Sequence, residues 1–211
     1  MDCKRGKRKT GEVREVMKAD IETMLRESSD AKLKTIALAS EIENITKSVI
    51  DCYRKGGKVI LFGNGGSASQ AQHIAAEFIN KFKIDRRPLA AISLTTDTSN
   101  LTSISNDSSF DEIFEKQIEA LCNSNDVVIA ITTSDISKEK HGHSANIYRG
   151  IVAAKQKGAK VVGMFSEKSR LAASLVDMPV LIPCSETSRI QECHITVMHI
   201  ICELVERELF G

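Results

Sequence analysis

The sequence predicts an α/β fold: a three-layer sandwich with a five-stranded parallel sheet, helices on both faces, and an N-terminal helical segment in front. Three observations carry this. Short apolar runs alternate with stretches of helical period from Lys58 onward, the pattern of a parallel sheet crossed over by helices. The first run, Val59-Ile60-Leu61-Phe62, ends in Gly63-Asn64-Gly65-Gly66, with Ser67 where a helix begins. The chain has 211 residues, 42% hydrophobic and 27% charged, enough for one packed domain and short for two.

Residues 1–20 are polar and read as a loose basic arm, and 21–211 as one domain. From Ile21 to Arg54, Met24, Leu25, Leu33, Ile36, Ile42, Ile45, Val49, Ile50 and Tyr53 recur at helical spacing. Two helices are expected, broken near Ser28-Ser29-Asp30 and stopped by Gly56-Gly57. Strands are expected at Lys58–Phe62, Leu89–Leu94, Asp126–Thr132, Lys160–Met164 and Met178–Ile182. Helices are expected at Ser67–Lys83, Phe110–Asn123, Ala145–Lys157, briefly near Leu171, and from Ser188 to Leu209. Right-handed crossovers make this a doubly wound sheet, whose ligands sit beyond the carboxyl ends of the strands. The loops 63–67, 95–107 and 132–144 are therefore the candidate binding loops.

Net charge is +1, which argues against a polyanion binder. The basic cluster Lys4, Arg5, Lys7, Arg8, Lys9 reads as a solvated terminus, not a nucleic-acid or membrane arm. No apolar stretch approaches the ~20 residues of a membrane span, and no apolar signal core is seen near the start. Six scattered cysteines without a Cys-x-x-Cys pair read as reduced, buried thiols of a cytoplasmic protein.

The three loops are rich in hydroxyls. The first holds Asn64, Gly65 and Ser67. The second runs Thr95-Thr96-Asp97-Thr98-Ser99-Asn100 to Asn106-Asp107. The third begins Thr132-Thr133-Ser134 and ends at Ser144, before a helix. Hydroxyls beside a helix N-terminus can cradle a phosphate without a lysine. Within the third loop, residues 135–143 insert charge and two histidines. One reading is a solvated excursion. The other is a lid bringing Lys138, Lys140 or His141 to a phosphate or sugar, with His141 and His143 also open to adventitious metal.

His73 and Glu77 are four residues apart on one helix face, and both are zinc-type donors. Surface neighbours are the alternative. The last helix offers Gln191, His194 and His199, and either histidine can equally be a satisfied core or interface residue. Gln191 and His199 lie about 12 Å apart along a helix. They reach one ion only by leaning together, through an irregular helix start, or from different subunits.

Gly63-Asn64-Gly65-Gly66-Ser67-Ala68, Gln72-His73, Glu77, Arg189-Ile190-Gln191-Glu192 and His199 together resemble the bacterial sedoheptulose 7-phosphate (phosphoheptose) isomerases of the sugar isomerase (SIS) group. The likeness covers roughly Glu43 to Phe210. It implies a flavodoxin-like, Rossmann-like SIS domain, a homotetramer with sites at subunit contacts, and zinc (Zn2+) at His73, Glu77, Gln191 and His199. It implies a sugar phosphate held near Asn64, Gly65, Ser67, Asp107, Thr132, Thr133, Ser134, Ser144 and Gln191, with Glu77 and His199 as the catalytic proton-transfer pair. The product, D-glycero-D-manno-heptose 7-phosphate, feeds lipopolysaccharide or capsule. The metal tetrad matches that pattern. The third loop is about seven residues longer than the family's Ser-Thr-Ser-Gly-Asn-Ser. Lys81 stands in place of an arginine, Gln70 in place of an aspartate, and Ser188 where some members have aspartate. Ser166–Arg170 replaces a glycine-rich loop. Other readings are an isomerase of another phosphosugar and a non-catalytic SIS protein that regulates replication initiation. Glu77 with His199 favours the enzyme.

Overall fold

The computed structural model describes residues 10–211, with side chains from Val16 onward. Helix α1 (Thr10–Lys34) leads through a 3₁₀ turn (Thr35–Leu38) into α2 (Ala39–Arg54). Then follow β1 (Val59–Gly63), α3 (Gly66–Ile79), β2 (Ala91–Ser93), α4 (Thr98–Asp107), a 3₁₀ turn (Phe110–Glu112), α5 (Ile113–Leu121), β3 (Val127–Ile131), α6 (Ala145–Gln156), β4 (Lys160–Ser166), α7 (Arg170–Leu175), β5 (Met178–Ile182) and α8 (Thr187–Phe210).

The five strands are all parallel, in the order β2-β1-β3-β4-β5. Successive side chains of a strand face opposite ways. Val59 and Leu61 accordingly join one core with α2, α3 and α8, through Ile45, Val49, Ile74, Phe78, Val197 and Ile201. Ile60 and Phe62 join the other, with α5 and α6, through Phe114, Ile118, Ile147 and Ile151. The three layers expected from the alternation are present. In this strand order the topological switch falls between β1 and β3, because α3 leaves toward one face and α6 toward the other. Ligand crevices form there.

Helix α3 ends at Ile79 and not at Lys83, β2 is shorter than expected, the helix expected at Phe110–Asn123 is a 3₁₀ turn followed by α5 ending at Leu121, and three further differences are larger. Residues 10–20 are helical, so α1 begins at Thr10 and not near Ile21; residues 1–9 of the expected arm lie outside the described residues. The break falls at Thr35–Leu38 and not at Ser28–Asp30. The Ser28 hydroxyl is occupied inside the helix, donating to Glu192 Oε2 (2.5 Å) while Lys32 Nζ donates to it (2.7 Å). A tertiary contact thus overrides local propensity. The stretch expected as an open loop at 95–107 contains α4. Asp97 caps it by accepting the Asn100 amide (3.0 Å), so the polar run is a helix start.

Several apolar residues expected to face a core do not. Ile21, Met24, Leu25, Leu33 and Ile36 are exposed, as is Met17 in the expected arm, and α1 seats on the body through Ser28 and Ala31. Among the described residues no helix is long and apolar enough to cross a membrane. The described cysteines are free. Burial pushes the thiols of Cys52 and Cys122 up to about 11, which leaves them protonated and poor nucleophiles.

Candidate functional site

The turn after β1 is built by two glycine constraints. A side chain at Gly63 would collide with the Ile131 carbonyl and with Ser67, so β1 can approach the switch point only as glycine. Gly65 sits at φ +54°, ψ −120°, a backbone that other residues rarely adopt. Ser67, 4% exposed, then donates its amide to Asn64 O (2.9 Å) in the first turn of α3. Asn64 is turned sideways. It exchanges amide hydrogen bonds with Asn146 of α6, at 3.0 and 2.8 Å.

The third loop meets the first at this seam. Thr132 is buried. Its amide donates to Met164 O (3.0 Å) and its hydroxyl to Ser134 O (3.0 Å). Ser134 Oγ lies 2.8 Å from His143 Nε2, and Thr133 is half-buried between them. Ser144, in the left-handed region at φ +54°, precedes α6 and makes no capping bond. The structure therefore gathers Asn64, Gly65, Ser67, Thr132, Thr133, Ser134 and Ser144 at the carboxyl edge of β1 and β3. Asp107 is the exception. It ends α4, exposed, and accepts Asn106 Nδ2 (2.7 Å). It lies at the far end of a helix about 15 Å long.

The excursion 135–143 is neither free nor a lid of lysines. Asp135 accepts the first amides of α7 from Leu171 and Ala172 (3.1 Å each), and Ile136 is buried. The His141 amide donates to buried Asp111 Oδ2 (2.7 Å). Lys138 and Lys140 line a separate cavity of about 290 Å³ with Glu115, Tyr148 and Arg149. His141, which the lid reading would bring to the ligand, faces Asp111; His143 is the one that reaches Ser134.

Helix α3 also carries His73 and Glu77, and α8 packs beside it. His73 Nε2 lies 3.0 Å from Glu77 Oε1 and 3.1 Å from His199 Nε2. The three donor atoms all lie within 4.8 Å of one another, and theirs is the cluster among the described residues able to hold a metal ion. Phe82 packs on His199, with ring centroids 5.3 Å apart. Burial, together with the neighbouring His73 ring, pushes the His199 imidazole below its usual pKa, while Glu77 acts the other way.

Gln191 lies near the start of α8. Its side-chain amide rests on Gly66, in the space a Cβ there would take, while its backbone oxygen accepts Gln70 Nε2 (2.7 Å). It also lines one open groove of about 430 Å³ with His73, Gln70, Ser188 and Glu192. Lys81 points elsewhere, toward Asp85 (3.6 Å). His194 is a core residue: it is fully buried, with Nε2 3.1 Å from Phe165 O.

The geometry has a support that spacing did not reveal. Arg86, nearly fully buried, donates to the carbonyls of Glu77 (2.9 Å) and Phe78 (2.9 Å), and from Nε to Glu206 Oε2 (2.8 Å). Glu206 also accepts the amides of Phe82, Lys83 and Ile84. Burial opposes its charge, but these donors prevail and hold its pKa at about 2. The end of α3 that carries Glu77 is thereby clamped to α8.

Comparison with known proteins shows the family of the chain. The family model described as the SIS domain matches residues 24–166. A phosphoheptose isomerase of Aquifex aeolicus is 46% identical over 187 residues, 88% of this chain and 94% of its own. The phosphoheptose isomerase structure from Neisseria gonorrhoeae superposes with TM-score 0.80 at 34% identity, covering 90% of this chain and 99% of that one. The one from Francisella tularensis gives TM-score 0.83 at 31% identity, covering 90% and 97%.

Proposed function

The chain belongs to the SIS domain family, and within it to the phosphoheptose isomerases; from that premise we propose that it interconverts sedoheptulose 7-phosphate and D-glycero-D-manno-heptose 7-phosphate. The observation that carries the reading is the meeting of His73, Glu77 and His199 on the same helix pair that frames the glycine turn. The anion end and the proton-transfer end of one substrate then share α3.

The donor set fits a divalent cation, with zinc the expected ion. Donors bound at about 2.0–2.1 Å in a tetrahedron stand about 3.4 Å apart, close to the 3.0 and 3.1 Å separations here. His73, Glu77 and His199 would hold it, with Gln191, seated on Gly66, as the fourth donor. Such an ion polarises the adjacent carbonyl and hydroxyl oxygens of the sugar.

The chain's own groups do the rest. The hydroxyls of Ser67, Thr132, Thr133, Ser134 and Ser144 hold the phosphate, and Asn64 and Gly65 shape the turn around it. Asp107 contributes only across a subunit contact. Binding energy at the phosphate fixes carbons 1 and 2 against the α3–α8 cluster. Glu77 and His199 remove a proton from carbon 1 and return one to carbon 2 through an enediol, while the hydroxyl proton passes from O1 to O2. Glu77 Oε1 faces His73, so proton transfer falls to Oε2.

The exposed apolar row Met17, Ile21, Met24, Leu25 on one face of α1 supports assembly into a homotetramer. The reading extends to a cytoplasmic enzyme supplying heptose for lipopolysaccharide or capsule, with one domain from residue 21 to 211. The deciding experiment incubates zinc-loaded protein with a panel of ketose phosphates in deuterated water, followed by carbon NMR. Deuterium at carbon 2 of the heptose product is expected. Incorporation only with another ketose phosphate would reassign the substrate, and none with any would remove the isomerase reading.

A further inference from the structure

His143 is an imidazole placed among hydroxyls. Its Nε2 lies 2.8 Å from Ser134 Oγ, and its own residue adjoins Ser144 at the start of α6. The position is held from several sides. The His143 carbonyl accepts the Ser137 amide (2.9 Å). His141 at φ 60° and Ser144 at φ 54° bracket it in left-handed backbone, which persists only where surrounding contacts enforce it. Those contacts are the Asp111 bond to the His141 amide and the Asp135 bonds to α7. The ring is itself exposed, so solvent or a ligand reaches it.

The cationic groups of the same excursion are spent elsewhere. Lys138 and Lys140 belong to the cavity over α5 and α6, and His141 Nδ1 faces Asp111 Oδ2 at 3.4 Å. The imidazole of His143 is thus the excursion's one nitrogen-bearing side chain joined to the Thr132–Ser134 hydroxyls among the described residues. A ring nitrogen that bonds Ser134 Oγ can bond a phosphate oxygen seated on that hydroxyl, and charge assistance strengthens such a bond.

We propose that His143 is a phosphate-binding residue of this site, carried into the hydroxyl cradle by the 135–143 excursion. The proposal rests on the phosphosugar reading above and adds to it a ligand contact from the segment that lengthens the third loop. The excursion then acts as a fixed wall of the pocket.

Inorganic phosphate is titrated into the wild-type protein while the imidazole NMR signals are followed, with His143 assigned from their loss in His143→Ala. In parallel, KM and kcat for sedoheptulose 7-phosphate and the inhibition constant of inorganic phosphate are measured for wild type, His143→Ala and His143→Asn. The His143 signals are expected to shift with phosphate. His143→Ala is expected to raise both KM and the phosphate inhibition constant about tenfold, with kcat within about twofold. His143→Asn keeps a side-chain donor and is expected to recover part of the loss. Unmoved His143 signals, or constants within about twofold of wild type in a His143→Ala protein of unchanged melting temperature, would overturn the proposal. Failure of the isomerase reading is separable: wild type then turns over no ketose phosphate, yet the phosphate titration still decides the role of His143.

Discussion

Asn64 and Asn146 exchange two amide hydrogen bonds, 3.0 and 2.8 Å long, across the switch point between β1 and β3. Asn146 is 1% exposed, and its Oδ1 also accepts the Ile147 amide (2.9 Å). The pair ties the glycine turn to the start of α6, so the two halves of the hydroxyl-lined seam hold one spacing. Asn64, expected from the sequence as a ligand contact, is also one half of this tie.

Replacing either asparagine with alanine leaves the other amide unpaired, at about 1–3 kcal/mol each. The double replacement is expected to cost clearly less than the sum, because both lose the same pair. Urea unfolding of the four proteins measures the coupling, and strict additivity would show that the tie contributes nothing.

Glu77→Gln is expected to fold normally and to lose at least ~100-fold in turnover, the scale of general acid–base catalysis. His73→Ala and His199→Ala should each weaken zinc binding by at least ~100-fold, at or beyond the ~10–100-fold cost of losing an outer partner. Competition with a coloured chelator reads the affinity. Tight zinc binding by the doubly replaced protein would move the metal elsewhere.

Gly66→Ala separates stability from function. An added Cβ would meet only the tip of the Gln191 side chain, which can swing away, and alanine favours a helix over glycine by up to about 1 kcal/mol. The melting temperature should hold or rise while kcat/KM falls at least ~10-fold. Wild-type kcat/KM in this variant would mean that the seat of Gln191 does not matter to turnover.

His194 predicts an acid-labile core. Burial lowers its pKa from 6.5 to about 4. Between those values the unfolded chain binds a proton that the native chain does not, so stability is complete above about pH 6.5 and falls as the pH drops toward 4. The loss between pH 7 and 4.5 should be on the order of 2–3 kcal/mol. His194→Asn should flatten that slope in urea unfolding, and an unchanged slope would assign the loss to other groups.

The sheet was readable because its strands lie in short, mostly apolar runs, and those at 59–63 and 127–131 are continuous and buried on both faces. His73 and Glu77 were readable because a helix places residues four apart on one face. That His199 joins them follows from the docking of α8 on α3, which no local period encodes. Helix α4 hid behind its low-propensity Thr, Ser and Asn residues, with only the Asp97 cap to signal it. The Arg86–Glu206 clamp and the His143–Ser134 contact span 120 and 9 residues and left no pattern. Charge and two histidines drew attention to the excursion, but which of its basic groups meets the Thr132–Ser134 hydroxyls depends on Asp111 holding His141.

The shared use of α3 also limits how such a site can change over generations. One residue gained or lost between Ser67 and His73 would rotate everything beyond it by about 100°, swinging both donors out of line with His199. Length variation is therefore barred from this helix. It is permitted in the segment after β3, where Asp135 and Asp111 fasten the added chain to the body and the flanking framework keeps its frame.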